Sequence, residues 1–265
     1  MNPSFSFDAG IPSEELGRLK NEWLETLTSP QDGMWESFRS YATHYGIRQA
    51  GEWVGYTNVA DDGKLLQFYI APRFMNRGND VFRQLIGQRQ ISSAMVGTNN
   101  PGFMTYALKY AQTVDIHTYL FRDHFHQTIP DQEGELKQCQ GEDLGRIVDF
   151  CHDSMGAPKE WLMGYIGGLI ERGEIFVFEQ NDQVVGTCEV RQSLSAEQYT
   201  DIGMVVSPDF RKQGFGTYLL CQAMRISKER GKIPICSTEK DNIGSLKAIH
   251  NCGFYSQYQL LGVTF

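Results

Sequence analysis

The chain has 265 residues, 41% of them hydrophobic and 21% charged, with a formal net charge of −8. That length fits one large domain or two ordinary ones, and the composition is that of a globular protein without a long disordered tail. The acidic balance argues against nucleic acid or an anionic membrane surface as the main partner, and no run approaches the ~18 apolar residues needed to cross a bilayer.

The start, Met1-Asn2-Pro3-Ser4-Phe5, has neither a basic segment nor an apolar run of the signal-peptide kind. Six cysteines, at 139, 151, 188, 221, 236 and 252, include no C-x-x-C pair. The expectation is reduced, buried thiols in a cytoplasmic protein, a monomer or homodimer. Glu15-Leu16-Gly17-Arg18 lies in a helical context, and the aromatic-rich stretch 35–45 also reads as helix. Strands are expected at 53–59, 65–70 and 91–96. His117, His124 and His126 read as ordinary strand or loop histidines, so no metal is expected. A polar, turn-rich stretch at 130–134 marks a linker, dividing the chain into domains 1–130 and 135–265.

In the second domain, 141–152 and 158–173 read as helices. The stripe Trp161, Leu162, Tyr165, Ile166, Leu169 and Ile170 is spaced to pack on a sheet. Strands 175–179 and 184–190 form a hairpin across Asn181-Asp182. An apolar run, Met204-Val205-Val206, leads into Ser207-Pro208, then Arg211-Lys212-Gln213-Gly214-Phe215-Gly216, then a helix-compatible run from Thr217. A short strand at 232–237 precedes Asp241-Asn242-Ile243-Gly244-Ser245, and a helical segment ends at Gly253-Phe254.

The first half reads as a worn copy of the second. Trp53-Val54-Gly55-Tyr56 parallels Val184-Val185-Gly186-Thr187, and Ala71-Pro72-Arg73-Phe74 parallels Ser207-Pro208-Asp209-Phe210. The separation from Pro72 to Pro208 is 136 residues, which also sets Gly78 on Gly214; from Asn100 to Asn242 it is 142. Matched blocks in one order, with offsets that drift as loop insertions would make them, point to duplication.

Strand, glycine-rich turn and helix together make an anion site, because the first helical N–H groups lack partners and carry partial positive charge. Gly214 and Gly216 let a phosphate approach the backbone, and Arg211 and Lys212 add charge. The turn is not a Walker A loop, since Thr217-Tyr218 follow the second glycine, and it lacks the spacing of the dinucleotide fingerprint. Arg-x-x-Gly-x-Gly, with Val-x-Pro upstream and Asn242…Gly253-Phe254 downstream, resembles the GNAT superfamily of acetyl-CoA-dependent N-acetyltransferases.

The resemblance implies an α/β (α+β) fold of two tandem GNAT-like domains, each a mixed, mostly antiparallel twisted sheet flanked by helices. It implies acetyl-CoA as co-substrate. The pyrophosphate would lie on Arg211, Lys212, Gln213, Gly214, Phe215, Gly216 and Thr217, the thioester against backbone at Met204, Val205 and Val206, and the pantetheine arm by Asn242 and Ser245. An amine acceptor would sit beside the first two helices, near Met155 and Pro158. Acyl transfer to an amine needs a neutral nucleophile and a stabilised tetrahedral oxygen. Asp201 and Glu189 are the candidate bases, with water as the alternative. The family's Tyr, seven residues after the Asn, is replaced here by Ile249, leaving His250, Tyr255, Tyr258 or no residue as acid. In the first copy Met75 replaces Arg211 and Asp80 replaces Gly216, so cofactor binding is expected only in the second. The competing readings are a non-catalytic acyl-CoA-binding or regulatory protein, and transfer of another acyl or aminoacyl group.

Overall fold

Leu65-Leu66-Gln67-Phe68-Tyr69-Ile70 is buried at every position, as a strand must be when covered on both faces. Around it a computed structural model, describing residues 4–124 and 131–265, builds the first of two compact units. One unit is Met1–Tyr119 with Tyr258–Phe265, and the other is Leu120–Gln257.

The first unit runs β1 (Phe5–Asp8), α1 (Ser13–Leu24), α2 (Gly33–Ser40), β2 (Thr43–Gln49), β3 (Glu52–Val59) and β4 (Leu65–Ile70). A 3₁₀ stretch (Pro72–Arg77) then leads into α3 (Gly78–Gln88), β5 (Ser93–Gly97), α4 (Pro101–Tyr110) and the start of β6 (Thr113–His124). β1 to β4 pair antiparallel in sequence order, while β4 meets β5 in parallel only at Leu65 and Ala94. The core under this sheet is aromatic, with Phe68 edge-on to Phe82 at 5.0 Å and to Tyr106 at 5.5 Å. The expected helix at 35–45 ends at Ser40, and Tyr45 lies in β2. Its aromatic residues serve strand burial there as readily as a helix face, which composition alone does not separate.

The second unit repeats that order. It runs β7 (Glu135–Gln138), a 3₁₀ turn (Gly141–Asp143), α5 (Leu144–Met155), α6 (Lys159–Glu171), β8 (Ile175–Gln180), β9 (Gln183–Gln192) and β10 (Tyr199–Val206). A 3₁₀ turn (Pro208–Phe210), α7 (Phe215–Glu229), β11 (Ile233–Glu239), α8 (Ile243–Asn251) and β12 (Phe254–Thr264) follow. The β8–β9 hairpin turns on Asn181 (φ 50°) and Asp182 (φ 60°), the pair of positive φ values that a two-residue turn between twisted strands requires.

The last strand departs from the expected division at 130–135. Leu260–Thr264 pairs antiparallel with Gly97–Ser93 of β5, so Tyr258–Phe265 completes the first unit's sheet. Leu120–His124 of β6, conversely, belongs to the second unit. Each unit is thus finished by a strand from the other repeat.

One packing detail repeats atom for atom. A Cβ at Gly55 would stand 2.2 Å from the Tyr69 carbonyl oxygen, and a Cβ at Gly186 would stand 2.5 Å from that of Val205. Tyr69 and Val205 are separated by the same 136 residues as the two prolines. Only glycine permits such a close strand approach, so both copies keep it.

Candidate functional site

The turn after β10 has the conformation that its glycine demands. Lys212 (φ 63°) and Gly214 (φ 93°) are left-handed, and Gly214 caps α7 without a side-chain partner. The N–H groups of the first turn of α7 therefore depend on something other than the helix. Phe215 is buried, packing at 5.8 Å from Phe210 and 6.0 Å from Phe178. Its ring anchors the helix start, so only its backbone is left to meet a ligand. Gly216 faces the inner side of the turn, where a Cβ would make ordinary contacts of 3.6 Å with Ala248 and 3.8 Å with Met204 and Val206.

Arg211 does more than lend charge. Its Nη2 donates to the Ser154 carbonyl at 2.7 Å and its Nε to the Val206 carbonyl at 3.3 Å, tying the turn to the end of α5 and to β10. Gln213 donates to the Asp209 carbonyl at 3.0 Å. Gln132, within the stretch that reads as a linker, lies 3.5 Å from where a Gly214 Cβ would be. Nothing in its local sequence signals that.

β10 and β11 pair in parallel only from Tyr199–Ile233 to Asp201–Ile235, although β10 runs on to Val206 and β11 to Glu239. Past Asp201 the two strands part. The opening is floored by the 202–206 backbone, flanked by the turn at 211–216 and by the start of α8. Asn242 caps α8 through its Oδ1, which accepts from the Ser245 N–H at 3.1 Å. Its amide nitrogen is what remains to donate.

On the α5/α6 side of the sheet lies an ionic cluster. Glu189 is opposite Gly203, and Arg191 is opposite Asp201, so all four positions share one face. Tyr165 from α6 donates to Glu189 Oε2 at 2.7 Å, and Arg191 Nε is 3.3 Å from the same oxygen. Burial first, then the Glu189 carboxylate, pushes the Tyr165 hydroxyl far up, so it stays a protonated donor. Trp161 stacks on Tyr165 at 4.8 Å and is 42% exposed, which gives the cluster an apolar margin open to solvent; Met155, at the end of α5, is also exposed.

The two candidate bases are therefore not equivalent. Glu189 Oε2 lies 3.9 Å from where a Gly203 Cβ would stand, at the point where the strands separate. Asp201 is 2% exposed and sits where they still pair. Ile249, at the place of the family's Tyr, is buried; of the candidate acids, Tyr258 donates to the Thr28 carbonyl at 3.4 Å, and His250 packs its ring edge on Phe121 at 5.5 Å. Tyr255 hydroxyl accepts from Gln257 at 3.4 Å.

The first copy has no such turn. Pro72–Arg77 runs directly into α3, and Gly78 has ordinary helical φ of −54°. Tyr106 lies 142 residues before Ala248, the separation of the two capping asparagines. Its hydroxyl would be 2.2 Å from a Cβ at Gly78 and donates to the Met75 carbonyl at 3.3 Å. Asp80 stands in the first turn of α3, ion-paired with Arg77 and Arg83. A tyrosine and a carboxylate occupy the place where the second copy is open. Among the described residues no group of His, Cys, Asp and Glu is placed to hold a metal ion. His126 and the side chain of His124 lie outside those residues, as does Pro130 of the linker region.

Parting central strands beside a left-handed glycine turn that opens a helix make a backbone-lined anion site. Sequence models for "Acetyltransferase (GNAT) domain" and "Acetyltransferase (GNAT) family" match residues 12–124 and 141–254. The chain belongs to the GNAT family and carries two of its domains in tandem. It is similar over 99% of both chains to a GNAT-family acetyltransferase from Colwellia psychrerythraea, at 28% identity and a TM-score of 0.92. A GCN5-related N-acetyltransferase from Sphaerobacter thermophilus shares the fold at 16% identity and a TM-score of 0.68, over 100% of this chain and 96% of that one. So does a tandem GNAT protein from the clavulanic acid biosynthesis pathway, at 14% identity and a TM-score of 0.66, over 99% and 98%. No curated protein matches the chain in sequence.

Proposed function

We propose that this chain is an N-acetyltransferase that moves the acetyl group of acetyl-CoA to a primary amine of a small molecule or peptide. The observation that carries the reading is the parting of β10 and β11 beside a left-handed, glycine-capped turn with its helix N–H groups facing out. Pyrophosphate would lie on the 211–217 backbone, where the helix end and Arg211 favour anions. The pantetheine arm would run along residues 204–206 towards the Asn242 amide, adding to the open edge as a strand does. The thioester carbonyl would then lie above Gly203, within reach of Glu189.

In this geometry Glu189 takes the proton of the attacking ammonium, directly or through one water, and Tyr165 and Arg191 hold it in place. Asp201 is too deep to meet substrate and acts as a buried neighbour of that pair. The attack is direct. Cys151, whose thiol burial pushes up to about 12, and Cys188, pushed higher by the same cause, supply no thiolate for an acyl-enzyme. Among the described residues of this unit no side chain is assigned as a dedicated acid, and the departing CoA thiolate, whose thiol titrates at about 8.5, takes its proton from water.

The acceptor enters over Trp161, Met155 and Pro158, where an exposed aromatic face and the acidic Glu189 suit a cation. Among the described residues no helix is long and apolar enough to cross a membrane. The test is release of CoA from acetyl-CoA across a panel of amines, with Glu189→Gln alongside. Turnover lost in Glu189→Gln while acetyl-CoA still binds would support the assignment.

A further inference from the structure

The first unit buries a polar group that its fold leaves unsatisfied. On α2, Arg39 is 8% exposed and Glu36 beside it is nearly covered, their nearest atoms 3.5 Å apart. Arg39 Nη1 donates to Gln67 Oε1 at 3.3 Å, and Asn100 Nδ2 donates to the same oxygen at 3.3 Å. Gln67 on β4 is directly opposite Asn58 on β3, so their side chains share a face, and they are 2% and 3% exposed. Two donors, Arg39 Nε and Gln67 Nε2, and two acceptors, Glu36 Oε2 and Asn58 Oδ1, have no hydrogen-bond partner among the described residues. Each such group costs on the order of 1–3 kcal/mol when left unmade, and more where it is charged. Four of them in one cluster amount to a preformed set of contacts.

The cluster occupies a meaningful position. The pair Asn58–Gln67 corresponds in register to Glu189–Gly203 of the second copy, since Gly55–Ile70 and Gly186–Val206 are equivalent pairs three residues away on each strand. Where the second copy keeps a carboxylate above a bare glycine, the first has two carboxamides, a guanidinium and a carboxyl. Arg39 is also braced from behind, its guanidinium 4.5 Å over the Trp23 ring. The open groove of about 600 Å³ in the same unit is a weaker candidate. Its Arg18, Glu22, Tyr69 and Arg73 are already paired among themselves or with Glu15 and Glu52.

We propose that Glu36, Arg39, Asn58 and Gln67 form a binding site in the first unit for a free α-amino acid. The chemistry is complementary. Arg39 Nε and Gln67 Nε2 are donors for a carboxylate, and Glu36 Oε2 and Asn58 Oδ1 are acceptors for an ammonium on the neighbouring carbon. A purely anionic ligand would leave both acceptors unmatched and face Glu36, and a purely cationic one would face Arg39. This site is separate from the acetyl-transfer site and does not rest on it.

Burial raises the Glu36 carboxyl to about 7, so an ammonium placed on it drives a proton off at neutral pH. The test is titration calorimetry of the full chain at pH 7 against the proteinogenic amino acids, in two buffers of different ionisation heat. The expected result is one-to-one binding of at least one amino acid with release of a fraction of a proton. Affinity should fall roughly tenfold or more in both Glu36→Gln and Asn58→Ala, with the proton release gone in Glu36→Gln. No binding by the intact chain at millimolar concentration would overturn the proposal and assign the cluster to buried water. Equal affinity in the variants would also overturn it, placing any bound amino acid elsewhere, such as the acceptor site. Should Glu36→Gln fail to fold, Asn58→Ala decides alone.

Discussion

Tyr165 reaches from α6 to hydrogen-bond Glu189 on β9 at 2.7 Å, on the same carboxylate oxygen that Arg191 meets at 3.3 Å. Helix and strand thereby fix one acid above the point where β10 leaves β11. Removing the hydroxyl in Tyr165→Phe leaves a carboxylate held from one side only. The expected outcome is a fall in kcat of about tenfold with KM for acetyl-CoA unchanged. Glu189→Gln should lower kcat by 10²-fold or more, and Asp201→Asn should act mainly through stability. Steady-state kinetics with a thermal melt for each variant separates these effects.

The two turn glycines answer to different demands. Gly214 holds φ 93°, so Gly214→Ala should cost about 1 kcal/mol of stability and distort the turn. Gly216 has room for a Cβ in the protein itself, so Gly216→Asp should fold normally. It nevertheless places a carboxylate against the phosphates, and CoA affinity should drop by at least ~2 kcal/mol. Unchanged affinity in that variant would move the phosphates away from this turn.

Gly78 in the first copy is kept for packing. Its φ is ordinary, yet a Cβ would meet the Tyr106 ring and hydroxyl at 2.2–2.6 Å. Gly78→Ala should destabilise the chain by about 1–3 kcal/mol, and the double variant with Tyr106→Ala should be less destabilised than the sum of the two singles. Additive losses in denaturant melts would show that the two residues do not oppose each other.

Glu36 gives the stability a pH dependence. Its carboxyl is raised from 4.5 to about 7, chiefly by burial. The folded chain therefore holds this proton more tightly than the unfolded one. The associated stability is present below pH ~4.5 and is lost as pH rises through about 7. The loss is at most about 3 kcal/mol, and Glu36→Gln should flatten it in melts taken across that range.

Much of this was legible in the residues. The hairpin at Asn181-Asp182, the glycine turn, the Asn caps and the 136-residue echo each rest on a local rule, where one residue type meets one backbone demand. What was not legible depends on partners distant in sequence. That Tyr258–Phe265 completes the first unit follows from pairing with Ser93–Gly97, and no local pattern states a strand's partner. Arg211 signalled phosphate by its charge, whereas its bonds to Ser154 and Val206 carbonyls, which also brace the turn, needed the fold. The choice of Glu189 over Asp201 likewise needed the point at which two strands part. A fragment starting near Glu133 would carry a last strand without β5 and would lack Leu120–His124. It should aggregate on expression rather than act as a domain.

The most direct test of the account is CoA release from acetyl-CoA by the full chain across an amine panel, paired with calorimetry of acetyl-CoA binding. The account predicts one acetyl-CoA per chain, CoA release with at least one amine, and acetyl-CoA affinity weakened by at least ~2 kcal/mol in Gly216→Asp. Tight binding without release on any amine would make the chain an acyl-CoA-binding protein, and two equivalent sites per chain would contradict the loss of the site in the first copy.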